Sequence, residues 1–305
     1  MNTVMDACQT RDDIFIVTGD AGLGVFDEFK DTYPDKFLNL GVAEQNMIGF
    51  SAGLSLTGFK VYVYNIIPFV LYRCYEQVRN DICYQKLPVT LVGIGSGITY
   101  APGGMTHYSV EDIGIAQTLP NLTVISPIDP VEAKLAAQYS LEANEPVYIR
   151  LAKRGEPAIH DRDKFDITLP QVVKEGADVA ILFHGSISVE VMKAYEELIR
   201  GEIYPLLVSI PMLQPLQKES LLDILKKMKH VICVEEHFEN CGLGNIMRKV
   251  SLESHSTWKL KTMGIPYQFI HEIKNTESMR EHFGISSSDI VRTVKDIAGG
   301  VNERR

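Results

Sequence analysis

Between Lys36 and Lys60 the sequence carries a single charged side chain, Glu44, set in FLNLGVAEQNMIGFSAGLSLTGF, and no further charge follows Lys60 until Arg73. A carboxyl in such apolar company is expected to be buried, where desolvation favours a shared proton over a free charge. Its chemistry would be proton exchange with a ligand nitrogen. The plainer alternative is an acid in the first turn of a helix, complementing the helix dipole for about 0.3 to 1 kcal/mol. His107 is the second candidate, in the glycine-rich stretch GIGSGITYAPGGMTHYSVED, where no Asp, Glu, Lys or Arg occurs between Lys86 and Glu111. Glycines let a backbone approach a ligand closely, and the histidine would then move a proton beside it. A lone histidine can equally be a surface or core residue. PFVLYRCYEQVRND spaces Phe69, Tyr72 and Tyr75 by three along an expected helix, a stripe that suits a core as well as a flat ligand. YIRLAKRG ends on Arg150, Lys153 and Arg154, which could hold a phosphate or simply be solvated.

The elements that must position these residues are legible as alternation. Runs of β-branched residues at 14–18, 61–65, 88–95, 122–126 and 146–150 are separated by helix-like stretches, the pattern of a parallel α/β sheet. FLNLG reads as a strand that leads into a helix with Glu44 in its first turn. Asp129-Pro130 opens another helix, expected to pack through Val131, Leu135 and Tyr139. From Lys153 to Pro170 charge and proline replace periodic apolar residues, which predicts a boundary between domains. A second series follows in DVAILFHG, a helix with Ile187, Val191, Ala194, Tyr195 and Leu198 on one face, PLLVSIP, a helix from about Lys218, and HVICVEE. A terminal helix from Ser286 is predicted by its serine-rich cap. The fold class is α/β, with two consecutive parallel-sheet domains over about 1–160 and 165–305.

A length of 305 residues with 45% hydrophobic and 23% charged side chains fits two folded domains. The net charge of -9 argues against nucleic acid and anionic membrane as main partners. Five cysteines, Cys8, Cys74, Cys83, Cys233 and Cys241, show no metal spacing and suit a reducing compartment. With no visible leader and no apolar run near the ~20 residues a membrane helix needs, the expected location is the cytoplasm.

GVAEQNMIGFSAGLSLTGFKVYVY resembles the pyrimidine-binding domain of transketolases and deoxyxylulose phosphate synthases, which use thiamine diphosphate. The resemblance covers almost the whole chain, with the second half similar to the transketolase C-terminal domain. It implies that Glu44 hydrogen-bonds a ring nitrogen of the aminopyrimidine and thereby activates the cofactor, and that Phe69 stacks on that ring with Tyr72 as its neighbour. It implies that His107, in the Thr-His pair, binds substrate and relays a proton, and that Lys153, with Arg150 nearby, binds a substrate phosphate. The expected reaction is transfer of a two-carbon ketol unit between sugar phosphates.

Two departures bear on substrate and on assembly. Transketolases carry an aspartate four residues before this histidine and another histidine eight residues before that aspartate, whereas this chain has Gly103 and Gly95. The family's metal motif, Gly-Asp-Gly with a later asparagine, is also missing; Gly19-Asp20-Ala21 with Asn46 imitates its spacing but lacks the second glycine. The implied arrangement is the C-terminal subunit of a split transketolase. It would homodimerise within a heterotetramer, in which a separate N-terminal chain supplies the diphosphate-binding domain and holds Mg2+. The rival readings are a beta subunit of a 2-oxo-acid dehydrogenase decarboxylating component, a deoxyxylulose phosphate synthase-like condensation, and a scaffold without activity.

Overall fold

The computed structural model describes residues 1–153 and 155–302. The β-branched runs of the first half form β1 (Ile14–Thr18), β2 (Phe37–Asn39), β3 (Lys60–Ile66), β4 (Val89–Ile94), β5 (Thr123–Ile125) and β6 (Val147–Leu151). The second half contributes β7 (Gln171–Lys174), β8 (Val179–Phe183), β9 (Leu206–Ser209), β10 (Met212–Gln214), β11 (His230–Phe238) and β12 (Lys259–Ile265). Strands β8 and β9 are buried at every position, as strands of a sheet covered on both faces must be.

The strands assemble into two sheets, in the orders β10-β5-β6-β4-β3-β1-β2 and β12-β11-β8-β9-β7. Each is parallel apart from one antiparallel edge, β10 on β5 and β7 on β9. Two consecutive, mainly parallel α/β sheets are present as expected, with an antiparallel strand at one edge of each, and β10 joins the first sheet from the second half of the chain. The chain leaves β9 at Ser209 and reaches Met212 within a few residues, so it runs directly onto the edge of the first sheet, where Met212 pairs with Ile125. Gln214 fixes the end of that strand by donating to the carbonyls of Leu119 and Leu122. Covering the β5 edge removes a row of unpaired backbone groups, and it stitches the two halves together. The core follows suit: Met47, Ile48, Val70 and Leu71 belong to one apolar cluster with Leu206, Val208, Val231 and Met247.

Asp129 caps the helix Pro130–Glu142 by accepting from the Glu132 N–H at 2.8 Å. Its inner face differs from the expected one: Glu132, Ala136 and Ser140 are fully buried, while Leu135 and Tyr139 pack at the margin. The reason is polar. Glu132 accepts from the Ile128 N–H, Ser209 Oγ and His160 Nε2, tying the connecting segment and β9 to the first sheet. Cys8, Cys74, Cys83 and Cys233 are buried, Cys241 is half-buried, and all five are free thiols. No helix among the described residues is long and apolar enough to cross a membrane.

Candidate active site

Glu44 is the first residue of the helix Glu44–Leu56, and 5% of it is exposed. The turn before it depends on Gly41 at φ +67°, where Asn39 Oδ1 accepts from both the Gly41 and Asp20 N–H groups. Glu44 Oε1 accepts a 2.7 Å hydrogen bond from Nη1 of Arg73, whose side chain is 44% exposed. Arg73 had no place in the sequence reading, because a charge that ends an apolar run looks like a helix surface.

The aromatic series does not lie on a plain α-helix. Pro68–Tyr72 and Val78–Cys83 are π-helical, separated by the short α-turn Tyr75–Gln77. Single π-turns are rare and concentrate at functional sites. Here the turn sets Phe69 and Arg73, four residues apart, on one face, with the guanidinium carbon 4.4 Å from the Phe69 ring centre. Tyr72 turns elsewhere and donates its hydroxyl proton to Glu111 Oε2 at 3.1 Å. Burial, with the nearby Asp112 and Glu111 charges, holds that phenol well above its ordinary range. Burial also raises Glu111. Tyr75 bonds Thr118 and is structural.

His107 sits on a braced loop. Gly97 and Ser109 exchange both backbone hydrogen bonds at the loop's base, and the Tyr108 hydroxyl donates to the carbonyls of Ala101 and Glu272. Thr106 Oγ1 lies 2.8 Å from His107 Nδ1. The loop glycines serve protein contacts: at Gly95 (φ +87°) a Cβ would meet the Tyr100 ring at 2.2 Å, and at Gly97 (φ +59°) it would meet Glu236 at 2.5 Å. The space a side chain at position 95 would need is thus filled by Tyr100. At Gly103 a Cβ would stand 3.1 Å from the His107 side chain.

These residues form a continuous line. Glu44 bonds Arg73, Arg73 stacks on Phe69, the Phe69 ring centre is 5.9 Å from His107, His107 is 5.9 Å from Tyr100, and Lys153 Nζ lies 4.4 Å over the Tyr100 ring. Arg73 and Tyr100 are the members that sequence reasoning missed. Glycine at 95 was the one available signal for Tyr100, since a lost side chain leaves room for a ring.

Arg150 does not join the line, and its assignment to a substrate phosphate is corrected. It is 1% exposed; its Nε donates to Asp112 Oδ2 at 2.7 Å and its Nη2 to the carbonyls of Ser109 and Glu236. Buried and bonded through Nε and Nη2 to groups of the protein, it braces the His107 loop at the Ser109 carbonyl. Arg154 lies outside the described residues.

Arg150 opens a buried polar knot between the halves. Asp112 also accepts from Tyr148, Glu236 accepts from Arg280, Ser186 and the Ile98 N–H, and Arg280 reaches Glu190. His237 Nε2 accepts the Ile113 N–H, which places its proton on Nδ1, facing the Phe238 carbonyl. The ring is neutral in this arrangement, burial lowers its pKa, and its 3.7 Å approach to Asp112 is no ion pair. His184 is driven down to about 3, chiefly by burial and then by Arg150. Glu235 caps the helix Leu243–Glu253 through the Leu243 and Gly244 N–H groups. No cluster of three or more His, Cys, Asp or Glu side chains placed to hold a metal occurs among the described residues.

Comparison with known proteins gives the family. Residues 1–156 match the family model "Transketolase, pyrimidine binding domain" and residues 170–290 match "Transketolase, C-terminal domain". The chain is 35% identical over 260 residues to a subunit of the apulose-4-phosphate transketolase of Actinobacillus succinogenes, covering 85% of this chain and 84% of that protein. It is 31% identical over 279 residues to SqwH, a subunit of the 6-deoxy-6-sulfo-D-fructose transketolase of a Clostridium species, covering 90% and 85%. A solved structure described as a split gene transketolase, inactive beta4 tetramer, superposes with a TM-score of 0.86 at 28% identity, covering 97% of this chain and 95% of that one. A 1-deoxy-D-xylulose-5-phosphate synthase of Caldanaerobacter subterraneus is 31% identical, but this chain covers 43% of it. The chain belongs to the transketolase family and carries its pyrimidine-binding and C-terminal domains.

Proposed function

We propose that this chain transfers a two-carbon ketol unit between sugar phosphates, using thiamine diphosphate bound jointly with a separate N-terminal chain. That partner supplies the diphosphate-binding domain and the residues that hold Mg2+, and two copies of each chain form the working heterotetramer in the cytoplasm. The observation that carries the reading is the unbroken line from Glu44 to Lys153, which aligns a buried carboxyl, an aromatic platform, a histidine and a cation.

The residues present fit the pyrimidine half of the cofactor. A flat, N–H-bearing guanidinium already stacks on Phe69 and donates to Glu44, the two contacts that a flat nitrogen heterocycle would use. When bound, thiamine diphosphate supplies the carbon nucleophile that carries the two-carbon unit. Glu44 holds and shares a proton at the ring nitrogen, in a setting that excludes water. Phe69 carries the stacked face, while Tyr72, expected beside it, is turned towards Glu111 and lies off this line. With Thr106 on Nδ1, His107 presents Nε2 to the substrate and moves a proton there. Lys153, 4.4 Å over the Tyr100 ring, attracts the phosphate as a mobile point charge. The second domain contributes through Glu236, which holds the Ile98 N–H and Arg150 and so braces the histidine loop.

The test is ketol transfer from a ketose phosphate to an aldose phosphate, with thiamine diphosphate and Mg2+, for this chain alone and mixed with an N-terminal chain. Transfer only by the mixture supports the proposal. Condensation of pyruvate with an aldehyde phosphate, or decarboxylation of 2-oxo acids without ketol transfer, would replace it.

A further inference from the structure

Phe69 and Glu44 stand far enough apart in sequence that one side chain touching both is informative. Arg73 does so with a single planar group: Nη1 donates to Glu44 Oε1 at 2.7 Å while the guanidinium carbon lies 4.4 Å from the Phe69 ring centre. An aminopyrimidine has the same recognition features, a flat π face and an edge that exchanges N–H hydrogen bonds with a carboxyl. We propose that Arg73 is a built-in competitor of the cofactor's pyrimidine ring, which must displace the guanidinium to reach Glu44 and Phe69. The inference rests on the assignment of those two residues to the cofactor.

Local structure supports an exchangeable latch. The π-turn at Pro68–Tyr72 sets how residues 69 and 73 are rotated about the helix axis; a plain α-helix would rotate them differently. Arg73 is 44% exposed against 5% for Glu44, so the guanidinium has a path outward while the carboxyl stays fixed in the helix. An ion pair with one solvated partner is weak and screened by salt, which suits a contact made to be exchanged. The guanidinium lies over the Phe69 face and beside the Glu44 carboxyl, the space a stacked pyrimidine ring would need. The latch keeps Glu44 neutralised and Phe69 covered until the ring arrives, and it sets a threshold on cofactor entry.

The test uses the full chain and thiamine as the probe, which carries the aminopyrimidine without the diphosphate that the partner would hold. Binding is measured by ligand-observed NMR for the wild type, Arg73→Ala, and the double variants Arg73→Ala/Glu44→Ala and Arg73→Ala/Phe69→Ala. Arg73→Ala is expected to bind thiamine at least about tenfold more tightly than wild type, with the gain lost in both double variants. Equal or weaker binding by Arg73→Ala, or no binding by any variant, overturns the latch, since removing it would have opened nothing. A gain that survives loss of Glu44 and Phe69 also overturns it. These outcomes are separable from the activity itself: a reconstituted enzyme that transfers ketol units while Arg73→Ala binds no better would leave the proposed function standing and remove this inference alone.

Discussion

Arg73 and Arg150 are each held by a carboxylate at 2.7 Å, yet the two regions around them work in opposite ways. Around Arg150 every partner is buried: Asp112 and Arg150 are 0% and 1% exposed, and backbone carbonyls accept from the guanidinium's Nη2. Around Arg73 the carboxyl is buried and the cation is half in water. A sealed pair is costly to break from one side, because the survivor is a bare buried charge. A half-open pair is worth little and exchanges readily. The contrast separates a region that holds the halves together from one that keeps its polar groups available for a ligand.

The largest expected effect lies on the open side. Glu44→Gln in the reconstituted enzyme should lower turnover by about a hundred- to ten-thousandfold, with assembly intact by size-exclusion chromatography. Near-wild-type turnover would mean that the proton is handled elsewhere. On the sealed side, Asp112→Asn should cost about 3 to 5 kcal/mol of folding stability, read from denaturant melts. A cost below about 1 kcal/mol, the size of a surface pair, would erase the distinction between the two arginines.

The sealed region also predicts a pH response. His184 titrates near 6.5 when unfolded and at about 3 when folded, so above pH 6.5 it is neutral in both states and its stability contribution is complete. As the pH falls below 6.5 the unfolded chain takes up a proton that the folded chain refuses, and stability is lost down towards 3. For this group the loss is about 1.4 kcal/mol at about pH 5.5, and His184→Asn should flatten that part of the stability profile. An unchanged slope would show that another group governs acid sensitivity. The smallest effect is Arg73→Ala, expected to change stability by less than about 1 kcal/mol; a larger loss would make Arg73 part of the scaffold.

Composition pointed to candidates, and the resemblance gave them roles. Glu44 stood out because charge is absent around it, and burial followed. His107 stood out in a similar way, as a lone polar candidate in a glycine-rich stretch, whereas Lys153, one of three cations in YIRLAKRG, was singled out by the family resemblance. Glu132 shows the limit of that reasoning. It too is a first-turn glutamate and is wholly buried, but the chain itself supplies Ile128, Ser209 and His160 as its partners, and nothing in its neighbourhood of the sequence announced them. Arg150 failed for the same reason: a strand-end arginine looks solvated until the second domain closes over it. The aromatic spacing misled in a different manner, since a period of three implies an α-helix and the π-turns redirect Phe69, Tyr72 and Arg73.

The sequence by itself determined the alternation of strands and helices, the two-part chain, and which carboxyl and histidine could do chemistry, because hydrophobic periodicity and the scarcity of charge are local properties. Tertiary structure alone decided that β10 crosses to complete the first sheet, that Arg150 is buried against Asp112 while Arg73 bridges Glu44 and Phe69, and that Tyr100 fills the room beside Gly95. Each of these depends on which distant groups arrive at the same place, and for a buried polar side chain those partners set whether its hydrogen bonds are spent or left for a ligand.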